Sequence, residues 1–254
     1  MGPSQNSAAH DPKSHRRRQI FYGLGSDPRI DDSSVGISFI DVLFALVIGY
    51  AITPIAKWWE IPAAGWIHLA TAGLMTLTSW IGYHNSRNRP RFVIGFFNLP
   101  FLQFVLDVAM VVVYAFSVFT AEGLTEGSTD SPAVFPEAVL VLIAFALYVA
   151  WDQVGVRIKK SSDYKEAWNK VRKERASLGE FSKHDWTSVK RCAVTWIALA
   201  ASVVVAVIAL FVDLRFARPS LGTILGVNVA LWLILVFFRV FKEWVTPRAS
   251  QRSE

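Results

Sequence analysis

The sequence predicts an all-α integral membrane protein that crosses the bilayer six times and keeps both termini in the cytoplasm. The first observation is composition, because 53% of the 254 residues are hydrophobic and the chain contains ten Trp and eighteen Phe. The second is that these residues gather into blocks of roughly 20, the length with which a helix spans the hydrocarbon core. The third is that basic residues lie almost entirely in alternate connections between the blocks.

Six apolar blocks reach that length, and each predicts one transmembrane helix. They are residues 36–57, 64–84, 95–120, 133–156, 190–213 and 220–241. The rest of the predicted organisation follows from these blocks. It comprises a flexible basic cytoplasmic tail (1–35), transmembrane helices one to four (36–156), a cytoplasmic loop (157–189), transmembrane helices five and six (190–244) and a second cytoplasmic tail (245–254).

The distribution of Lys and Arg predicts the orientation. Of the 26 basic residues, 23 lie in the two tails, in the second and fourth connections or at the helix ends next to them, and the opposite side keeps only Lys57, Arg215 and Arg218. Cytoplasmic connections retain positive charge, so both termini are predicted to face the cytoplasm. The same sorting explains the formal charge of +6, and the bilayer, not a nucleic acid, is the expected partner.

The cytoplasmic loop of residues 157–189 is the polar connection long enough to fold by itself. A short basic amphipathic helix is predicted from residue 163 to residue 178, and Gly179 would end it. Its apolar side is formed by Tyr164, Trp168 and Val171. Such a helix either rests on the lipid headgroups or receives a ligand or partner, and the sequence leaves both interpretations open.

A carboxylate near the start of the first predicted helix suggests a polar network. Asp41 lies about one turn inside the inner interface, because a helix rises 1.5 Å per residue. The second helix ends with Trp80 and His84, and the third begins near Asn98, so all four residues share one depth. An ion pair between Asp41 and His84, supported by Asn98, would stabilise the carboxylate and hold three helices together. We expect a structural role for Asp41 and not a catalytic one.

A second carboxylate, Asp107, is predicted near the bilayer centre. Gln103, Asp107, Tyr114 and Ser117 recur at spacings that place them on one helix face. Ionisable residues at this depth are costly and are functional candidates by default. The stripe either carries protons past Asp107 and Gln103 or forms hydrogen bonds between helices.

Three other polar residues have simpler interpretations. We expect His68 to be a packed and hydrogen-bonded imidazole, and Glu137 to lie at the outer surface. Asp152, at the inner end of the fourth helix, would pair with Arg157 or Lys159.

Signatures of catalysis are missing from the sequence. It contains no H-E-x-x-H, no G-x-S-x-G and no P-loop, and its single cysteine, Cys192, provides no metal-type cysteine pair. We therefore expect neither an enzyme, nor a cofactor, nor a metal site.

Short motifs in the first three predicted helices carry a resemblance to a known family. The first helix reads "SFIDVLFALVIGYAIT", the second ends in "WIGYH", and Asn98 opens the third. These stretches resemble the bacterial members of the transmembrane protein 175 family, six-helix potassium channels related to the endolysosomal channel. Phe39 and Asp41 correspond to the family's F-S-D motif, with Ile40 in place of the Ser, and Trp80 and His84 correspond to its Trp and His.

The resemblance implies an oligomeric cation channel, a homotetramer in the bacterial plasma membrane with potassium as the first candidate ion. The first helix would line the pore, and the hydrophobic constriction would be Leu46. Ala45 and Gly49 stand where the family has small hydroxyl residues, and Thr53 is a nearby hydroxyl on the same helix. Phe39, Asp41, Trp80, His84 and Asn98 would form the structural network.

Two other functions stay open. One is a proton-coupled transporter, or a proton path, through Asp107. The other is a membrane effector or scaffold whose loop at residues 159–190 binds a ligand or partner.

Overall fold

The computed structural model describes residues 28–55, 59, 61–86, 98–123, 133–160, 187–216 and 219–245. Side chains are described for the same residues except 28–38, 54, 84–86, 122–123, 159, 187–190 and 245. The described ranges contain six long α-helices and no strand. The helices are α1 (Pro28–Ile55), α2 (Ala63–Ser86), α3 (Leu99–Gly123), α4 (Phe135–Lys160), α5 (Thr187–Arg215) and α6 (Leu221–Val245).

The prediction of an all-α multi-pass membrane protein is confirmed at this coarser level. Among the described residues, four helices are long and apolar enough to cross a bilayer, and α1 contributes the shorter apolar stretch Phe39–Thr53. The four stretches are Leu99–Ala121, Phe135–Ile158, Arg191–Arg215 and Leu221–Trp244. The count of six spans and the cytoplasmic position of both termini stay predictions.

The helix bounds agree with the apolar blocks to within about four residues, except at the start of α1. That helix begins at Pro28, eight residues before the predicted span. Proline is favourable in the first turn of a helix, where its missing N–H costs no hydrogen bond. The predicted amphipathic helix at 163–178 lies outside the described residues.

Polar side chains cap the starts of α3 and α4. Asp213, at the end of α5, accepts hydrogen bonds from the backbone N–H groups of Val134 (3.2 Å) and Phe135 (2.8 Å) at the start of α4. Asn98 accepts one from Phe101 N–H (2.8 Å) at the start of α3. The first N–H groups of a helix have no partner inside it, so these side chains replace the water that a bilayer would exclude.

Five of the helices pack as a closed ring, in the order α2, α3, α4, α5 and α6, with α6 returning to α2. α1 lies outside this ring and packs against α2 and α3. The ring interior is filled by fully buried side chains, among them Met75, Val141, Phe145 and Leu231. Since the ring closes without α1, the outer face of α1 is not covered by any of the other described helices.

Candidate functional site

The uncovered face of α1 carries the four predicted pore residues. Ala45, Leu46, Gly49 and Thr53 are all exposed, and Leu46 is 64% exposed. The opposite face is buried against the ring through Ile40, Phe44 and Val47. These seven positions divide the helix into an inner and an outer side at the 3.6-residue period. We refer to Ala45, Leu46, Gly49 and Thr53 as the α1 face.

The α1 face differs in composition from the outward face of α5. The outward side of α5 is dominated by large apolar side chains, among them Ile197, Val204, Val207, Phe211 and Leu214. The uncovered side of α1 exposes large side chains too, among them Val42, Tyr50 and Ile52, but it also contains Ala45, Gly49 and the hydroxyl of Thr53, which donates to the Gly49 carbonyl at 3.4 Å. Small residues in membrane helices permit close approach of another helix, whereas lipid needs no such relief.

Four of the five residues of the predicted Asp41 network have described side chains. The ring of Phe39 packs on Phe104 of α3, with the centroids 6.0 Å apart. Asp41 is half-buried, Trp80 is exposed, and the side chain of Asn98 caps α3. The side chain of His84 lies outside the described residues. The network itself therefore stays a prediction.

Asp107 lines a cavity inside one end of the bundle, where α2 ends and α3 begins. The cavity has a volume of about 40 Å³ and receives side chains from all six helices. That volume is room for on the order of three water molecules. Tyr114, from the predicted stripe, lines the same cavity, whereas Ser117 is buried farther along α3 and Gln103 is half-buried toward its start.

Hydroxyl groups that line this cavity connect three helices. Tyr114 donates to the hydroxyl of Tyr148 on α4 at 3.2 Å, and Tyr148 donates to Ser79 Oγ on α2 at 2.7 Å. These contacts support the expectation that the stripe of α3 forms hydrogen bonds between helices.

A buried ion pair borders the cavity. Lys242 Nζ of α6 lies 3.0 Å from Oδ2 and 3.2 Å from Oδ1 of Asp152, and Thr195 of α5 donates to the same carboxylate at 2.5 Å. The ammonium also lies over the rings of Phe238 and Tyr148. The expectation that Asp152 pairs with Arg157 is wrong, and the side chain of Lys159, the other expected partner, lies outside the described residues. A residue five positions along a helix points about 140° away, so Arg157 is exposed while Asp152 faces the interior.

Arg239 enters the cavity beside a glycine. Its guanidinium pairs with Glu243 one turn later on α6. A Cβ at Gly82 of α2 would lie 2.6 Å from one terminal nitrogen of Arg239, so only glycine leaves room for this side chain. Arg239 Nε is buried, and no described group accepts a hydrogen bond from it. A buried donor of this kind is ordinarily satisfied by water or by a ligand.

A second polar cluster lies at the other end of the ring. His68 Nδ1 of α2 and Glu137 Oε2 of α4 form a hydrogen bond of 2.5 Å. Thr71 donates to Asn228 Oδ1 of α6 at 2.5 Å and accepts from Trp232 Nε1 at 2.6 Å. The packed, hydrogen-bonded imidazole predicted at His68 is confirmed. We refer to these five residues as the outer cluster, after the side of the membrane predicted for them.

The sequence led us to expect Glu137 at the outer surface. The structure instead buries it, and it is only 4% exposed. It occupies the first turn of α4, where a carboxylate is favoured by the helix dipole, and that turn faces the ring. Its polar neighbours come from helices far away in sequence. An Asn inside the apolar sixth helix, Asn228, was a sequence signal for such a cluster.

An apolar layer separates the outer cluster from the cavity. Met75, Val141 and Phe145 are all at most 1% exposed and lie between the two polar regions on their helices. Thr71 and Ser79, the α2 members of the two regions, are eight residues apart, or about 12 Å along the helix. Thr76 is also buried between Thr71 and Ser79, but its hydroxyl donates to the carbonyl of Ala72 in its own helix. None of the hydrogen bonds in the described part of the chain joins the outer cluster to the cavity.

Comparisons with known proteins found no match: not among protein-family models, not among curated proteins and not among solved structures. The described residues also contain no group of three or more His, Cys, Asp or Glu side chains able to hold a metal ion. The resemblance to the transmembrane protein 175 family rests on the motifs of the first three helices.

Proposed function

We propose that this multi-pass membrane protein is an oligomeric cation channel of the bacterial plasma membrane, with six spans, cytoplasmic termini and potassium as the first ion to test. Subunits, four by the family resemblance, surround a pore lined by α1. The observation that carries the proposal is the α1 face, which combines small residues, a hydroxyl and Leu46 on the uncovered side of a helix outside the ring.

The packing of α1 supports this assignment. The five-helix ring is complete without α1, so α1 adds no missing side to it. Its inner face is fixed to the ring by Ile40, Phe44 and Val47, and its outer face remains for lipid or for other subunits. The small residues Ala45 and Gly49 favour helices from other subunits as neighbours.

Leu46 would form the constriction. A ring of such side chains around a narrow axis excludes water and so opposes ion passage without any charged group. Thr53 and the carbonyls near Gly49 would offer oxygen ligands to a partly dehydrated cation one to two turns beyond the constriction. The α1 face has no carboxylate, so selectivity would depend on these weak oxygen ligands and on the pore width.

The test is ion flux into liposomes with the reconstituted protein, comparing wild type with Leu46→Asn. Replacing the apolar ring by amides should wet the constriction and raise potassium flux several-fold. Ile197→Asn on the outward face of α5 is the matched control, because Ile197 is about as exposed and as large as Leu46. Equal flux in wild type and Leu46→Asn would contradict the proposal.

The second candidate function is proton transport through Asp107, which the cavity around this carboxylate favours. In that case Asp107→Asn should abolish proton flux, and Leu46→Asn should leave it unchanged. The apolar layer around Phe145 argues for the channel, because protons crossing the ring would need a rearrangement to pass it.

A further inference from the structure

The cavity around Asp107 has a wall that belongs to α1. Ile40 and Phe44 line it, and both are buried members of the inner face of that helix, on the side opposite Leu46. Any change in the size or hydration of the cavity therefore acts directly on the packing of α1. A shift of the inner face of α1 would also displace Leu46, because the two faces belong to one helix.

The charges around the cavity are only partly balanced by direct contacts. Lys242 is held by Asp152, and Arg239 is held by Glu243 at its terminal nitrogen, which leaves Arg239 Nε without a described partner. Asp107 forms no ion pair within the described residues, and Trp151 lines the same cavity. The titratable and charged groups that face it are Tyr83, Tyr114, Tyr148, Arg191, Arg239 and Lys242.

The cavity around Asp107 is suited to binding water. A cavity of about 40 Å³ with a carboxylate, an unsatisfied guanidinium N–H and tyrosine hydroxyls meets the requirements of size and of polar partners for water. Water molecules would connect Asp107 with Arg239 and would also supply a route for protons. The cavity lies at the end of the ring where α2 ends, which is the predicted cytoplasmic end.

We propose that the cavity is a hydrated proton-binding site, in which Asp107 takes up a proton from the cytoplasmic side and thereby opens the pore formed by α1. This inference rests on the proposed channel function. In the ionised state, water between Asp107 and Arg239 keeps the cavity filled and holds Ile40 and Phe44 outward. Protonation neutralises the carboxylate and weakens its hold on that water, so α1 settles toward the ring and the Leu46 side chains move apart.

The experiment measures potassium flux into proteoliposomes at symmetric neutral and mildly acidic pH. Wild-type flux should rise several-fold on acidification. Asp107→Asn, which mimics the protonated carboxyl group, should show the acid level of flux at both pH values, and Asp107→Glu should restore the pH response. Glu137→Gln, the matched buried acid of the outer cluster, should respond as wild type does. An unchanged pH response in Asp107→Asn would overturn the proposal.

A second readout does not depend on conduction. In pH-difference infrared spectra of the reconstituted protein, acidification should produce a carbonyl band of a protonated carboxylic acid that is missing in Asp107→Asn and present in Glu137→Gln. A wild type without potassium flux would overturn the channel and the gating role together. Absence of an Asp107-dependent band would overturn the proton site even if the channel conducts.

Discussion

Lys242 of α6 and Asp152 of α4 form an ion pair inside the helix ring, with Nζ 3.0 Å from Oδ2 and both side chains more than nine-tenths buried. Thr195 of α5 donates to the same carboxylate, so one acid connects three consecutive helices of the chain. The ammonium is further surrounded by aromatic rings. Because leaving either charge buried without its partner would be costly, the pair fixes how α4, α5 and α6 meet.

Breaking this pair from one side should therefore be more damaging than removing both charges. Lys242→Met or Asp152→Leu alone should each lower the stability by about 3 kcal/mol or more, because a buried charge is left uncompensated. The double variant should recover much of this loss. Thermal unfolding of the detergent-solubilised protein measures the effect, and additive losses in the double variant would contradict the assignment.

The close approach of Arg239 to α2 gives a second prediction. Gly82→Ala should displace the guanidinium, since a Cβ there would lie 2.6 Å from it, and should lower the thermal stability. Gly73→Ala on the same helix is the control, because a Cβ at Gly73 meets nothing within 4 Å. That control should be neutral, or stabilising by up to about 1 kcal/mol, through the higher helix propensity of alanine. Equal behaviour of the two variants would show that Arg239 does not lie against Gly82.

The outer cluster provides a third prediction. Thr71→Val removes the hydroxyl between Asn228 and Trp232 while keeping the side-chain shape, and should cost about 1 kcal/mol, as for other hydrogen bonds between membrane helices. Asn228→Leu should cost a similar amount. Because the two side chains share a hydrogen bond of 2.5 Å, the double variant should cost less than the sum of the single losses. Strictly additive losses in thermal unfolding would argue against a direct bond.

The helices were predictable from the sequence because each apolar block is about as long as the bilayer is thick. The sequence did not predict which residues would be the partners of the buried polar side chains. Lys242 lies 90 residues from Asp152, and Asn228 lies 157 residues from Thr71. Which helices become neighbours depends on side-chain packing, which an apolar sequence constrains weakly. The nearest basic residue along the chain was thus a poor guide.

The candidate pore, too, was predictable from the sequence only in part. The family resemblance grouped Ala45, Leu46, Gly49 and Thr53 as pore residues, and all four are exposed in the structure. The sequence alone could not show that the ring closes without α1, since that depends on the contact between α6 and α2, at opposite ends of the chain. For the same reason, the sequence alone could not show that Ile40 and Phe44 form a wall of the cavity.

The central claim is that the α1 face lines an ion pathway, and thiol modification of Leu46→Cys tests it most directly. In a Cys192→Ser background, a water-soluble cationic thiol reagent should abolish the potassium flux of reconstituted Leu46→Cys, because the modified side chains obstruct the pore. Ile197→Cys, on the outward face of α5, should keep its flux under the same treatment. If both variants conduct equally before and after modification, Leu46 does not face the ion pathway, and the account of α1 as the pore helix is contradicted.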